Sequence, residues 1–109
     1  MDKLPQPPAT FQEFVRRYPE IGRAWDVLGD AGKKGPLDAK TQRLVKLAIS
    51  FGALREGAAH SAVRKALATG VTREEIEQVI ALAASTIGLP SAVAVYSWVR
   101  DCIADRDKG

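Results

Sequence analysis

Apolar residues recur along this chain at the three- and four-residue spacing of helices, and nowhere do they alternate long enough to read as a strand. Residues 1–9, which include Pro5, Pro7 and Pro8, read as an extended proline-rich arm. Thr10-Phe-Gln-Glu13 has the form of a capping box, and Phe14 and Val15 follow it. Pro19 interrupts that helix and suits the first turn of the next, whose apolar stripe is Ile21, Ala24, Trp25 and Leu28. Gly29 to Gly35 reads as a loop. Asp38 can cap a helix over roughly 39–53, with Leu44, Leu47, Ala48 and Phe51 on one face. A helix over roughly 55–69 is closed by Gly70. Thr72-Arg-Glu-Glu75 is a second capping box, ahead of Ile76, Val79, Ile80 and Ala83. After Gly88-Leu-Pro90, a last helix carries Ala92, Val95, Tyr96, Val99 and Ile103. The fold class is all-α, about six helices in a single domain over residues 10–109.

No charged residue lies between Val79 and Val99, a run long enough to raise a membrane span. Gly88 and Pro90 split the run, and Ser85, Thr86, Ser91 and Ser97 make it mildly polar. A buried helical hairpin fits better. So small a domain has little else with which to cover two charge-free helices, so an obligate homo-oligomer is expected.

Composition narrows the function classes. A net charge of +3, with basic residues interspersed among acids, leaves no stripe for nucleic acid. The single cysteine, Cys102, excludes an intrachain disulfide and reads as a buried core thiol. One histidine with one nearby glutamate is short of a metal-ligand set, so no metal and no cofactor is expected. Gly52, Gly57 and Gly70 do not make a phosphate loop, because no strand precedes them. Trp25, Trp98, Tyr96 and Phe51 sit on apolar stripes and read as core or interface packing. The N-terminus has neither a signal nor a transit pattern, and cytoplasmic residence is the expectation.

Three blocks carry a resemblance. They are Lys40 through His60, then Ala66-Leu-Ala-Thr-Gly-Val-Thr-Arg-Glu-Glu-Ile76, then Thr86-Ile-Gly-Leu-Pro-Ser-Ala92. Together, over about residues 38–105, they resemble the carboxymuconolactone decarboxylase family, which includes the alkylhydroperoxidase D proteins. The resemblance implies an all-helical alkylhydroperoxidase-D-like fold and assembly into homo-trimers, homo-hexamers or similar rings. In the family's peroxidase branch a Cys-x-x-Cys-x-x-x-His motif and a preceding glutamate form a proton relay to a redox thiol pair. Counted back from Gly70, those positions hold Arg55, Ala58, Ala62 and Arg43 here. A thiol peroxidase needs a thiolate nucleophile, and neither motif position supplies one. The decarboxylase branch usually keeps the histidine, whose place is taken by Ala62.

The chain's own histidine, His60, stands two residues earlier, about 200° away around a helix. Ala58, Ala59, Ala62, Val63 and Ala66 share the apolar arc, and Glu56, His60 and Arg64 run along its border. On one reading Glu56 orients the imidazole for proton transfer, Arg64 holds a substrate carboxylate, and Arg43 and Arg55 add positive charge for a small anionic ligand. On the other, Glu56, His60 and Arg64 form a solvated ladder at i, i+4 spacing, stabilising the helix by a few tenths of a kcal/mol per pair. Two functions follow. One is a cofactor-free acid/base lyase or isomerase for a small organic acid or lactone, with His60 and Glu56 catalytic. The other is a non-catalytic oligomeric binding or scaffold protein.

Overall fold

The computed structural model describes residues 9–108, which form six helices and, among the described residues, no strand. They are α1 (Ala9–Arg17), α2 (Pro19–Gly32), α3 (Ala39–Gly52), α4 (Glu56–Ala68), α5 (Arg73–Ile87) and α6 (Leu89–Lys108). The expected proline-rich arm lies outside the described residues except for Ala9, which opens α1.

The caps explain most of the boundaries. Asp38 Oδ1 accepts from Thr41 N at 2.7 Å and starts α3. That bond also holds the Asp38 carboxyl below its usual pKa range. The Thr72–Glu75 capping box forms in both directions, at 3.1 Å and 2.9 Å. The box expected at Thr10–Glu13 does not define a helix start, because α1 has already begun at Ala9. The loop expected over residues 29–35 is also shorter. Helix α2 runs through Gly29 to Gly32 and is capped at Lys33, so the connection to α3 is residues 33–38. Glycine lowers helix propensity by about 1 kcal/mol without abolishing it.

Helices α3, α4, α6 and α5 pack in a closed circuit, each against the next. Leu47 and Phe51 of α3, Val63 of α4, Ile76 of α5 and Val95 of α6 are fully buried at its centre. Ala59 and Ala66 keep α4 thin on that side, which lets α3 and α6 approach closely. Cys102, at 4% exposure, completes the core from α6, as expected of a packed thiol. Lys40 Nζ meets Glu75 Oε2 at 2.7 Å and ties the start of α3 to the start of α5.

Helices α1 and α2 pack on each other. Phe11 meets Trp25 edge-on, with ring centroids 6.4 Å apart, and a Cβ on Gly22 would stand 3.2 Å from Val15 Cβ. Neither helix buries a single residue. Of the four stripe aromatics, Phe51 is core and Trp98 packs against it, whereas Trp25 and Tyr96 are largely exposed on the single chain. The α5–α6 hairpin buries Ile80, Ala92, Val95 and Val99 but leaves Leu82, Leu89 and Val93 open. Among the described residues no helix is long and apolar enough to cross a membrane.

Both ends of the chain segment that carries the candidate site are closed in the same way. After α4, Val71 N donates to Ala66 O and Gly70 N to Leu67 O, with Gly70 at φ 94°. After α3, Arg55 N donates to Ser50 O and Leu54 N to Phe51 O, but here the left-handed residue is Leu54, at φ 54°. Left-handed backbone costs a side-chain-bearing residue about 1 to 2 kcal/mol. Gly70→Ala is therefore expected to lower stability by about 1 to 2 kcal/mol in urea titration. Leu54→Gly should raise it by about 0.5 kcal/mol, the relieved strain less glycine's greater unfolded-state entropy.

The Lys40 ion pair and the cap hold Glu75 below its usual pKa range, the Lys40 contact being the larger cause. A depressed carboxyl contributes stability that is present above its unfolded value and lost as pH falls through the folded one. Urea midpoints measured on descending through the acid range should fall less steeply for Lys40→Met than for the parent chain.

Candidate functional site

Helix α4 positions the chain's one imidazole. The strained turn at Leu54 delivers Arg55 as the residue just ahead of α4, and Glu56 occupies its first turn. One turn on, His60 Nε2 lies 3.5 Å from Glu56 Oε2, with the imidazole side chain 24% exposed and the carboxylate largely in water. Behind them, Cys102 Sγ of α6 reaches the His60 carbonyl at 3.7 Å.

Arg64 does not extend the ladder. Its guanidinium faces the Cys102 thiol, so only the Glu56–His60 rung forms. Burial pushes the Cys102 pKa up and outweighs the opposing pull of Arg64. The thiol is thus kept protonated and packed, the opposite of what a thiolate nucleophile needs.

On its other flank Arg64 belongs to a cationic cluster. Lys65 is partly buried, and its pKa is lowered first by that burial and then by Arg43, Lys46 and Arg64 around it. None of these four cations makes an ion pair among the described residues. Arg43 and Arg64 both lie near Lys65, while Arg55 stands exposed at the head of α4. Sequence reasoning missed Lys46 and Lys65. The i, i+3 spacing of Arg43 and Lys46 was a visible signal, but their meeting with α4 depends on the packing of two helices.

A concavity lies elsewhere, between α3 and α5. It encloses about 550 Å³ and is lined by Val45, Ala48, Val79, Leu82 and other mostly apolar residues, with none of His60, Glu56, Arg64, Arg43 or Arg55 among them. On α3, Arg43 and Lys46 lie opposite the groove-lining Thr41, Val45 and Ala48. Among the described residues no three His, Cys, Asp or Glu side chains converge as metal ligands would.

The model of the carboxymuconolactone decarboxylase family matches residues 19–101, from the first residue of α2 into the second half of α6. The chain belongs to that family. Its six helices are the all-α, alkylhydroperoxidase-D-like arrangement of the family, and the match extends upstream of the segment in which the resemblance was legible. No curated protein and no solved structure gives a significant match. Ala62 is half-buried against the core, while Ala58 and Arg55 are exposed.

The shielding of Cys102 has a direct chemical consequence. Its reaction with a disulfide reagent at neutral pH should be at least tenfold slower in the native chain than in denaturant, read from thionitrobenzoate release. Equal rates would mean that the thiol is open.

Proposed function

We propose that this chain is a thiol-independent, cofactor-free member of its family, a lyase or isomerase that moves a proton on a small organic acid or lactone. The contact between His60 Nε2 and Glu56 Oε2 carries the reading. It gives the imidazole a fixed carboxylate partner while leaving part of the ring open to a ligand, which is what a general acid/base requires. Arg64, one turn further along α4, and Arg43, across from it on α3, supply unpaired positive charge for a substrate carboxylate. Cys102 takes no part, since it is buried and protonated.

The test is turnover on a panel of lactones and unsaturated organic acids, followed by loss or gain of absorbance. His60→Ala is expected to reduce kcat by about 10²- to 10⁴-fold, the usual weight of general acid/base catalysis. Cys102→Ala should leave it unchanged. Full activity in His60→Ala would remove His60 as the base.

A second reading rests on a different observation. The concavity between α3 and α5 holds no titratable pair aimed at a substrate and lies away from His60. That favours a non-catalytic binding or scaffold member. Ligand binding that is weakened by Leu82→Glu and unaffected by Arg64→Ala, with no turnover on any member of the panel, would select it.

A further inference from the structure

Helices α3 and α4 pack on each other and carry almost no negative charge between them. From Ala39 to Ala68 the sequence holds six lysines and arginines and a single acid, Glu56. Glu56 is taken up by His60, and Lys40 is drawn off to Glu75 of α5. Arg43 and Lys46, one turn apart on α3, come together with Arg64 and Lys65 of α4. None of these four makes an ion pair among the described residues, so any counter-charge has to come from a ligand.

The four cations answer that crowding differently. A guanidinium keeps its proton at any ordinary pH, so Arg43 and Arg64 stay charged. A lysine can instead release its proton and become a neutral amine. Lys46 is exposed, and its charge is screened by water and salt. Lys65 is half-buried, so desolvation and the repulsion of three neighbours act on it together. Both hold its pKa below the usual lysine range, burial being the larger cause. An amine partly withdrawn from water and set beside other cations is the form in which lysine serves as a nucleophile.

The arginines define what that amine meets. Arg43 approaches from α3 and Arg64 from the same helix as Lys65, and each has the planar fork that matches a carboxylate. A guanidinium has five N–H donors, so the contact of Arg64 with the Cys102 thiol leaves others for a ligand. A carboxylate for the arginines beside an electrophilic carbon for the amine is the make-up of a 2-oxo acid.

We propose that Lys65 is a nucleophilic amine that condenses with the carbonyl carbon of a small 2-oxo acid whose carboxylate rests on Arg43 and Arg64. The Nζ lone pair forms the C–N bond and one amine proton passes to the carbonyl oxygen, giving a carbinolamine. The hydroxyl then leaves with the second amine proton as water, and a neutral imine remains with no change of oxidation state. The site rests on the proposed function only for the anchoring of a carboxylate and makes no use of His60.

The experiment is reductive trapping. The full chain is incubated at neutral pH with pyruvate and cyanoborohydride, digested, and read by mass spectrometry for peptides heavier by one pyruvic acid less an oxygen atom. Lys65 should carry at least about tenfold more adduct than the exposed Lys33 or Lys46. That preference should disappear in urea, because it depends on the packing of α3 against α4. Acetone has the carbonyl without the carboxylate, and its preference for Lys65 over Lys33 should be about tenfold smaller. Arg43→Gln and Arg64→Gln, checked for helicity by circular dichroism, should each cut the pyruvate adduct at Lys65 about tenfold. An absence of adduct on the native chain, adduct spread evenly over Lys33, Lys46 and Lys65, or a preference as strong for acetone as for pyruvate would each overturn the proposal. Trapping without turnover on the lactone panel would count against the proposed function alone, and turnover without trapping against this site alone.

Discussion

The burial of one face of α4 against α3 and α6 is the constraint from which the rest follows. Ala59, Val63 and Ala66 point into the core, where burying Val63 alone contributes about 1.5 to 3 kcal/mol. With those positions fixed, a helix has no remaining freedom of rotation. His60 and Arg64 are carried to the boundary between core and solvent, and Ala62 is half-buried against the core. Gly70 and Val71 close the helix by handing its last carbonyls to a left-handed turn, so the register cannot slip by a residue without losing both bonds.

That register also sets the chain's one thiol apart from one suited to thiol-dependent redox chemistry. Redox chemistry of that kind needs a low-pKa thiol open to its oxidant. The one thiol here faces inward, reaches a backbone carbonyl, and is raised in pKa by its burial even with Arg64 beside it. Its surroundings are those of a packing residue. On its solvent side α4 carries a carboxylate-partnered imidazole, together with Arg64 and Lys65, which make no ion pair among the described residues.

The molecule also divides by how completely it is packed. The circuit of α3, α4, α6 and α5 encloses a continuous core. The α1–α2 hairpin encloses nothing, and two short helices in contact are marginal in water without further burial. Its aromatic face and the groove along Val45 and Leu82 are both left open on the single chain.

From the order of residues alone came the helical class, the caps at Asp38, Thr72 and Gly70, the core stripe of Leu47 and Phe51, the inert character of Cys102, and the family. Each of these rests on local chemistry or on a period of 3.6, and both are written along the chain. The end of α2 was misplaced because the penalty for glycine is small enough for neighbouring residues to override. The Arg64 rung of the expected ladder was misplaced for another reason. Spacing says that two side chains can meet, whereas the approach of α6 decided that Arg64 turns to Cys102. The joining of Arg43 and Lys46 to Lys65, and the groove between α3 and α5, were likewise settled only by tertiary structure. They are properties of the angle and offset between helices, which depend on every packed side chain at once and on no one stretch of sequence.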